Sequence, residues 1–210
     1  MTDLLKLTQW LSPAFPVGSF AYSHGVEQAI VQGDIADAEG LRTWLCAILR
    51  FGSGRTDAIL LAEALRGERD LAELADTAEA LSASRERWIE TRDQGRAFLS
   101  TTNALFAEDL PEMAYPVAVG RVARDLDMLP ADIIAVFLHA FTSNIVSCAV
   151  RFIPLGQTEG QRVLDQLHDT ISQVARAAAE AGVEDIANAA IGSDLSAMEH
   201  ERLQSRIFRT

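Results

Sequence analysis

The stretch from Ile133 to Val150 is the most apolar part of this 210-residue chain, and it limits the folds that the chain can adopt. It approaches the length of a membrane-spanning helix, which needs about 20 predominantly apolar residues. It also contains His139, Thr142 and Asn144, polar side chains that a helix facing lipid accommodates poorly. We therefore predict a buried central helix. The start of the chain, Met1-Thr2-Asp3, lacks the features of a secretory signal, which predicts a cytoplasmic protein.

Apolar residues recur at helical spacing along nearly the whole chain, and the alternation expected of strands is almost absent. Prolines, glycines and capping residues divide this pattern into predicted helices. These span residues 3–11, 19–32, 37–51, 56–67, 70–81, 84–107, 116–127, 130–152, 158–181, 184–191 and 194–204. We find neither a repeat nor a long linker. The sequence thus predicts one all-α domain over residues 1–210, a bundle of roughly ten helices around the buried apolar helix.

The balance of charges argues against nucleic acid as a partner. The chain carries 18 Lys and Arg residues against 30 Asp and Glu residues, a net charge of −12. Wrapping a phosphate backbone requires a basic face, which this composition does not favour. The two cysteines, Cys46 and Cys148, lie far apart in apolar surroundings, so we predict buried free thiols.

The segment from Gly52 to Thr56 ends like a phosphate-binding loop. However, Arg55 stands where that motif needs lysine, and Leu49 stands where its first glycine belongs. A predicted helix also precedes the segment where the motif has a strand. We interpret these residues as a turn between two helices.

The four histidines are scattered, and none has a second ligand at a spacing that repeats: His24, His139, His168 and His200. A fixed metal site needs three or four converging ligands, so we predict no metal site and no cofactor. Convergence of distant residues stays open as an alternative.

A catalytic centre is equally hard to find in the sequence. Ser23-His24 has no nucleophile elbow around it, and neighbours in sequence do not make a triad. The carboxylates of Glu86, Glu90 and Asp93 alternate with arginines, which favours a solvated helix face with ion pairs. We predict no catalytic residues.

Two features remain unusual. Asn144 lies within the most apolar helix, and a buried amide without partners costs about 1–3 kcal/mol. We expect its side chain to bond the backbone of the first loop, residues 12–18, or another side chain. The last six residues, 205–210, carry two arginines around Ile207-Phe208 and no acid. Such a segment either docks on a surface or is disordered.

Three segments taken together resemble the urease accessory protein F family. They are LSPAFPVGSFAYSHGVE at 11–27, TSN at 142–144 continuing to IPLGQTEGQ at 153–161, and MEHERLQSRIFRT at 198–210. Their order, their separations and the chain length fit, so the resemblance covers essentially the whole chain.

The resemblance implies an all-helical, dimeric urease maturation factor without catalytic activity. Such proteins bind accessory protein D, also called H. The complex recruits and gates the GTPase accessory protein G for nickel insertion into apo-urease. Under this interpretation, nucleotide and nickel chemistry belong to the partners.

The resemblance also assigns roles to individual positions. Six are expected in the partner-binding region: Phe20, Tyr22, His24, Glu27, Arg206 and Phe208. Six more are expected to order loops: Pro16, Gly18, Asn144, Gln157, Gly160 and Gln161. Relatives often have tyrosine where this chain has Phe20, so the hydroxyl that would contact the tail arginine is absent at this position, although Tyr22 is nearby. Docking of protein D is expected to order the last residues against the first loop.

Two alternatives from other classes stay open. One is a self-contained nickel-binding metallochaperone. The other is an enzyme with a dispersed active site that uses His24 or His139 with a carboxylate.

Overall fold

The computed structural model describes residues 1–210 and contains eleven α-helices, two short 3-10 helices and no strand. The α-helices are α1 Thr2–Trp10, α2 Val26–Gln32, α3 Ala38–Phe51, α4 Ser53–Arg66, α5 Leu71–Ala80, α6 Arg85–Phe106, α7 Tyr115–Ala123, α8 Pro130–Ala149, α9 Gln157–Gln166, α10 His168–Glu180 and α11 Ile191–His200. The 3-10 helices are Ser19–Ala21 and Val183–Asp185. The predicted all-α class and the number of helices are therefore confirmed.

Local capping explains why several helices begin where the sequence predicts. The side chain of Asp37 accepts a hydrogen bond from the backbone of Gly40 at the start of α3. Asp70 and Ser84 cap α5 and α6 in the same way. These side chains satisfy N–H groups that a helix start would otherwise leave without partners.

The core is one cluster of 45 buried hydrophobic residues. Helix α4 lies at its centre and packs against α3, α7, α8 and α10. Helices α4 and α7 approach very closely at Gly120, where an added Cβ would lie 2.5 Å from the carbonyl oxygen of Leu61. Only glycine allows this separation, so Gly120 fixes the position of α7 in the bundle.

Helix α8 is the one helix with the length and composition of a membrane span. It packs against α2, α4, α9 and α10 and so forms part of the core, as predicted. The same packing is typical of a core helix in a helical bundle. However, α4 rather than α8 lies at the centre of the bundle, and His139 of α8 is exposed.

The structure corrects three predicted boundaries. The predicted helix 19–32 is broken between Ala21 and Val26, because His24 and Gly25 have positive φ angles of 59° and 75°. The predicted helix 158–181 is two helices that meet at Leu167. The predicted helix 184–191 is only the 3-10 turn at 183–185. In the first two cases the helical pattern continues in the sequence across a break in the chain, whereas residues 186–190 form no helix.

The turn at Gly52 joins α3 directly to α4, which begins at Ser53. The predicted helix–helix turn is therefore confirmed, although α4 starts earlier than expected. Both cysteines are free, as predicted; Cys148 is buried and Cys46 is half-buried. Burial raises the pKa of the Cys148 thiol to about 12, so this group is an unreactive part of the core.

Candidate protein-interaction site

The last six residues, 205–210, fold back onto α2 and α6, and we call this segment the tail. The backbone N–H groups of Ile207 and Phe208 donate to the carboxylate of Glu27 at 2.8 and 3.0 Å. Glu27 belongs to the first turn of α2 and is only 1% exposed. Hydrogen bonds to a carboxylate shielded from water are strong and directional. The tail is thus docked on the body of the chain rather than disordered.

The Phe208 side chain anchors the tail by burial. Its ring is 4% exposed and lies 5.6 Å from the ring of Phe152, measured between centroids. The Arg151 guanidinium lies 5.8 Å from the Phe208 ring centroid. Aromatic packing of this kind adds stability beyond the burial of area alone.

A cluster of charged side chains, which we call the tail latch, joins the tail to three helices. It consists of Glu27, Glu86, His200 and Arg206. His200 is fully buried, with Nδ1 2.7 Å from Glu86 and Nε2 3.3 Å from Glu27. Arg206 of the tail pairs with the other oxygen of Glu86. Glu86 thus contacts both Arg206 of the tail and His200 of α11.

The final two residues add a second set of contacts. The carbonyl oxygen of Thr210 accepts the N–H of Ser23 at 2.8 Å and its hydroxyl at 2.5 Å. The Thr210 hydroxyl donates to Glu90 at 3.1 Å. The N–H of Arg209 donates to the carbonyl oxygen of Ala21 at 2.8 Å. The tail is therefore held along its length against residues 21–27.

A buried charge cluster lies beneath this contact and comprises His24, Asp57, Arg87 and Glu90. Arg87 donates to Asp57 at 2.5 Å, and its other terminal nitrogen lies 3.9 Å from Glu90. His24 Nδ1 lies 3.3 Å from the same Glu90 carboxylate. Burial acts to raise the pKa of Glu90, but the charge of Arg87 and the contacts with His24 and Thr210 outweigh it. The pKa of Glu90 is therefore held below its ordinary value.

The conformation of His24 is the strained feature of the site. A left-handed backbone is uncommon for residues other than glycine and costs about 1–3 kcal/mol. The His24 ring packs edge-on against Phe141, with the centroids 5.0 Å apart, and its nitrogens contact Glu90 and Ser53. These contacts offset the strain. Strained residues are enriched at functional sites, which supports a role for this segment.

A groove of about 320 Å³ opens beside the buried charge cluster. It lies between the first loop, α6, α8 and the start of α9, and its size falls within the range of binding pockets. Its lining includes the buried side chains of Asp57, Arg87 and Glu90. More exposed residues also line it, and these include Ser12, Phe20, Arg151, Gln157 and Gln161.

Asn144 links helix α8 to the segment after the first loop. Its amide nitrogen donates to the carbonyl oxygen of Tyr22 at 3.1 Å. The Cys148 thiol donates to the same oxygen at 3.4 Å. The predicted backbone partner for Asn144 is thus confirmed, although it lies four residues beyond the first loop.

The other residues expected to order loops occupy distinct positions. Gly18 has a left-handed φ of 73°, and the exposed Pro16 precedes it in the same loop. Gln157 begins α9, and the exposed Gln161 follows one turn later. Gly160 packs so closely that an added Cβ would lie 2.7 Å from Val150. Gly156 is the N-cap of α9, and no side chain caps this helix.

The structure brings together the six residues predicted to bind a partner, but it does not expose them equally. Four are buried in the isolated chain: Tyr22, His24, Glu27 and Phe208. Phe20 is 65% exposed, and the Arg206 side chain is 42% exposed. Only these two can contact a partner without movement of the tail. The four buried side chains instead stabilise residues 20–27 and the tail. Partner binding by the six residues stays a prediction.

The sequence analysis missed the inward-facing half of α6. Glu90 is 4% exposed and Glu86 belongs to the tail latch, so the predicted solvated face is wrong for both residues. It is correct for Asp93, which pairs with Arg92 and Arg96 near the surface. Alternating charges on a helix do not show which side chains face inward, because that depends on contacts with residues distant in sequence.

The contact between His24 and Glu90 is relevant to the alternative hypothesis that the chain is an enzyme. Ser53 Oγ lies 2.5 Å from His24 Nε2, so serine, histidine and glutamate follow one another as in a hydrolytic triad. The cavity beside Ser53 is small, about 30 Å³. The contacts of the His24 ring with Ser53 and Glu90 support the left-handed backbone of His24.

Fold and site together define an all-helical bundle whose tail is docked on α2 and α6 by buried polar contacts. Comparison with known proteins shows to which family this bundle belongs. The UreF family model matches residues 35–168. Full-length similarity extends over the first loop and the tail, which lie outside that range.

The chain is 56% identical to the urease accessory protein UreF of Cereibacter sphaeroides over 207 residues, covering 99% of this chain and 98% of the relative. It is 54% identical to UreF of Dinoroseobacter shibae, covering 98% of each chain. It is 43% identical to UreF of Ruegeria pomeroyi, covering 99% of this chain and 97% of the relative. The chain therefore belongs to the UreF family of urease accessory proteins.

Proposed function

We propose that this chain is a cytoplasmic urease maturation factor that acts as an adaptor without catalytic activity. In this role it binds accessory protein D, also called H, as a homodimer. The complex recruits and gates the GTPase accessory protein G for nickel insertion into apo-urease. The chain itself supplies contact surface, while nucleotide and metal chemistry belong to its partners.

The observation that carries the proposal is the capping of the tail by Glu27. The two hydrogen bonds to this buried carboxylate fix Ile207 and Phe208 against the body. The Ile207 side chain stays 72% exposed beside Arg206. An exposed apolar residue next to an arginine is a common core for a protein interface.

The groove supplies a second contact area. Phe20 lines it and is 65% exposed, so the ring is available to pack against a partner. Because the tail is already docked in the isolated chain, the proposal does not require a partner to order it. Protein D would bind the preformed surface, and the resulting complex would present it to the GTPase.

Exposed substitutions test the proposal without disturbing the fold. We expect Phe20→Ala and Arg206→Ala to weaken recovery of proteins D and G when the proteins are expressed together and purified through this chain. Each removes a surface contact worth about 1–2 kcal/mol at an interface, a loss of roughly tenfold in affinity. Circular dichroism should show unchanged helical content.

Two residues offer matched controls. Arg202 is exposed, makes no ion pair and lies four residues before Arg206. Leu129 is 69% exposed at the start of α8. Arg202→Ala and Leu129→Ala should leave recovery of both partners unchanged. Wild-type recovery by Phe20→Ala and Arg206→Ala, separately and combined, would overturn the proposal that this surface recruits the partners.

A further inference from the structure

Two of the four histidines lie at the surface, and they lie side by side. His139 of α8 and His168 at the start of α10 have ring centroids 5.5 Å apart and ring planes 36° apart. His139 is exposed, and the His168 side chain is 53% exposed. The other two histidines, His24 and His200, are buried within the clusters described above.

The separation of the rings suits a shared metal ion. With a metal–nitrogen bond of about 2.1 Å and a ring radius of about 1.2 Å, an ion lies about 3.3 Å from the centre of each ligating ring. Two rings that share an ion therefore have centres no more than about 6.6 Å apart. The observed separation of 5.5 Å between the ring centres is within this limit. It allows a wide angle between the two metal–nitrogen bonds.

Two further features favour a bound cation at this position. His168 Nδ1 lies 3.6 Å from Asp165 at the end of α9. A carboxylate behind a ligating histidine orients the ring and makes it a better donor. The net charge of −12 further attracts cations to the surface.

We propose that His139 and His168 form a surface site for a divalent late first-row metal ion, with water in the remaining positions. Imidazole suits nickel, copper and zinc, whereas hard cations such as magnesium prefer oxygen ligands. Two protein ligands make a weak, rapidly exchanging site rather than a closed structural one. The site is separate from the groove, because His139 lies about 140° around α8 from Asn144.

Calorimetric titration of the untagged chain with Ni²⁺, Cu²⁺ and Zn²⁺ tests the proposal; a polyhistidine tag would bind these ions itself. We expect one ion per chain, tightest for Cu²⁺ as in the general order of stability. His139→Ala and His168→Ala should each abolish it. Asp165→Asn should weaken it by up to about tenfold, and Gln166→Ala, an exposed neighbour in the same turn, should not.

Electron paramagnetic resonance of the Cu²⁺-loaded chain identifies the ligands directly. We expect nitrogen hyperfine coupling from two imidazoles in the wild type and in Gln166→Ala, but not in either histidine variant. Absence of binding by the wild type, or equal binding by the His139→Ala/His168→Ala double variant, would overturn the site. Recovery of proteins D and G by that double variant should match the wild type, so failure of this site and failure of the adaptor role are distinguishable.

Discussion

The carboxylate of Glu27 accepts the backbone N–H of Phe208 at 3.0 Å across 181 residues of sequence. The same carboxylate accepts the N–H of Ile207 and contacts the buried ring of His200. The Glu27 side chain therefore accepts two backbone hydrogen bonds from the tail, and its contact with His200 makes it part of the tail latch.

Replacing Glu27 should release the tail. We expect Glu27→Ala to lower the free energy of unfolding by about 3 kcal/mol, because removing one partner of a buried ionic cluster leaves the others unpaired. Trypsin should also cleave the variant faster after Arg206 and Arg209. Urea unfolding and a digestion time course measure the two effects. Glu199→Ala, at an exposed position of α11, is the control, and equal behaviour of both variants would contradict the latch.

The stabilising effect of Glu90 should depend on pH. Its folded-state pKa lies below the ordinary 4.5, so its charge stabilises the fold above that value. This contribution is lost as pH falls through the lower, folded-state pKa. Urea unfolding of the wild type and of Glu90→Gln should give the largest difference at about pH 7 and a shrinking one below about pH 4. A difference independent of pH would be inconsistent with a depressed pKa; Glu159→Gln, at an exposed site, should show little difference throughout.

The side chain of Asn144 should contribute more to stability than that of its neighbour Ser143. Asn144→Ala removes the hydrogen bond to the Tyr22 carbonyl, which we expect to lower the free energy of unfolding by about 1 kcal/mol. The Cys148 thiol still reaches that oxygen, which limits the loss. Ser143→Ala, at a half-buried position without a side-chain hydrogen bond, should be nearly neutral. Thermal unfolding of the pair compares them, and equal melting temperatures would count against the link.

Alanine substitutions at Gly95 and Gly156 should differ strongly in their effect on stability. In Gly95→Ala the new Cβ would lie 2.0 Å from the carbonyl oxygen of Met113, which the backbone cannot accommodate without moving. We expect a loss of about 3 kcal/mol in the free energy of unfolding. Gly156→Ala meets no atom within 4 Å and should change stability by no more than about 0.5 kcal/mol. Denaturant titration measures both, and a stable Gly95→Ala would mean that α6 and the 113–115 segment are farther apart.

The sequence predicts those parts of the fold that depend on neighbouring residues. Helices α3, α5 and α6 begin directly after their N-cap residues, which are Asp37, Asp70 and Ser84, as the sequence indicates. Apolar spacing along α8 likewise predicts a core helix. These features could be predicted because each rests on contacts within one or two helical turns.

The site depends on contacts that no local pattern contains. The break after Ala21 arises because His24 turns toward Glu90, which lies 66 residues away. Glu86 faces His200, 114 residues away, so its inward orientation could not be read from the charges beside it. The resemblance of residues 11–27 and 198–210 to one family indicated which segments matter, but not that most of their side chains are buried.

The pairing of Ser23 with Thr210 spans 187 residues. Closing so long a loop costs entropy, so this contact is expected to form after the local contacts of the helical bundle. The tail's partners on α2 and α6 are Glu27 and Glu90, which come together only when these two helices are packed. The docking of the tail therefore depends on a correctly folded body.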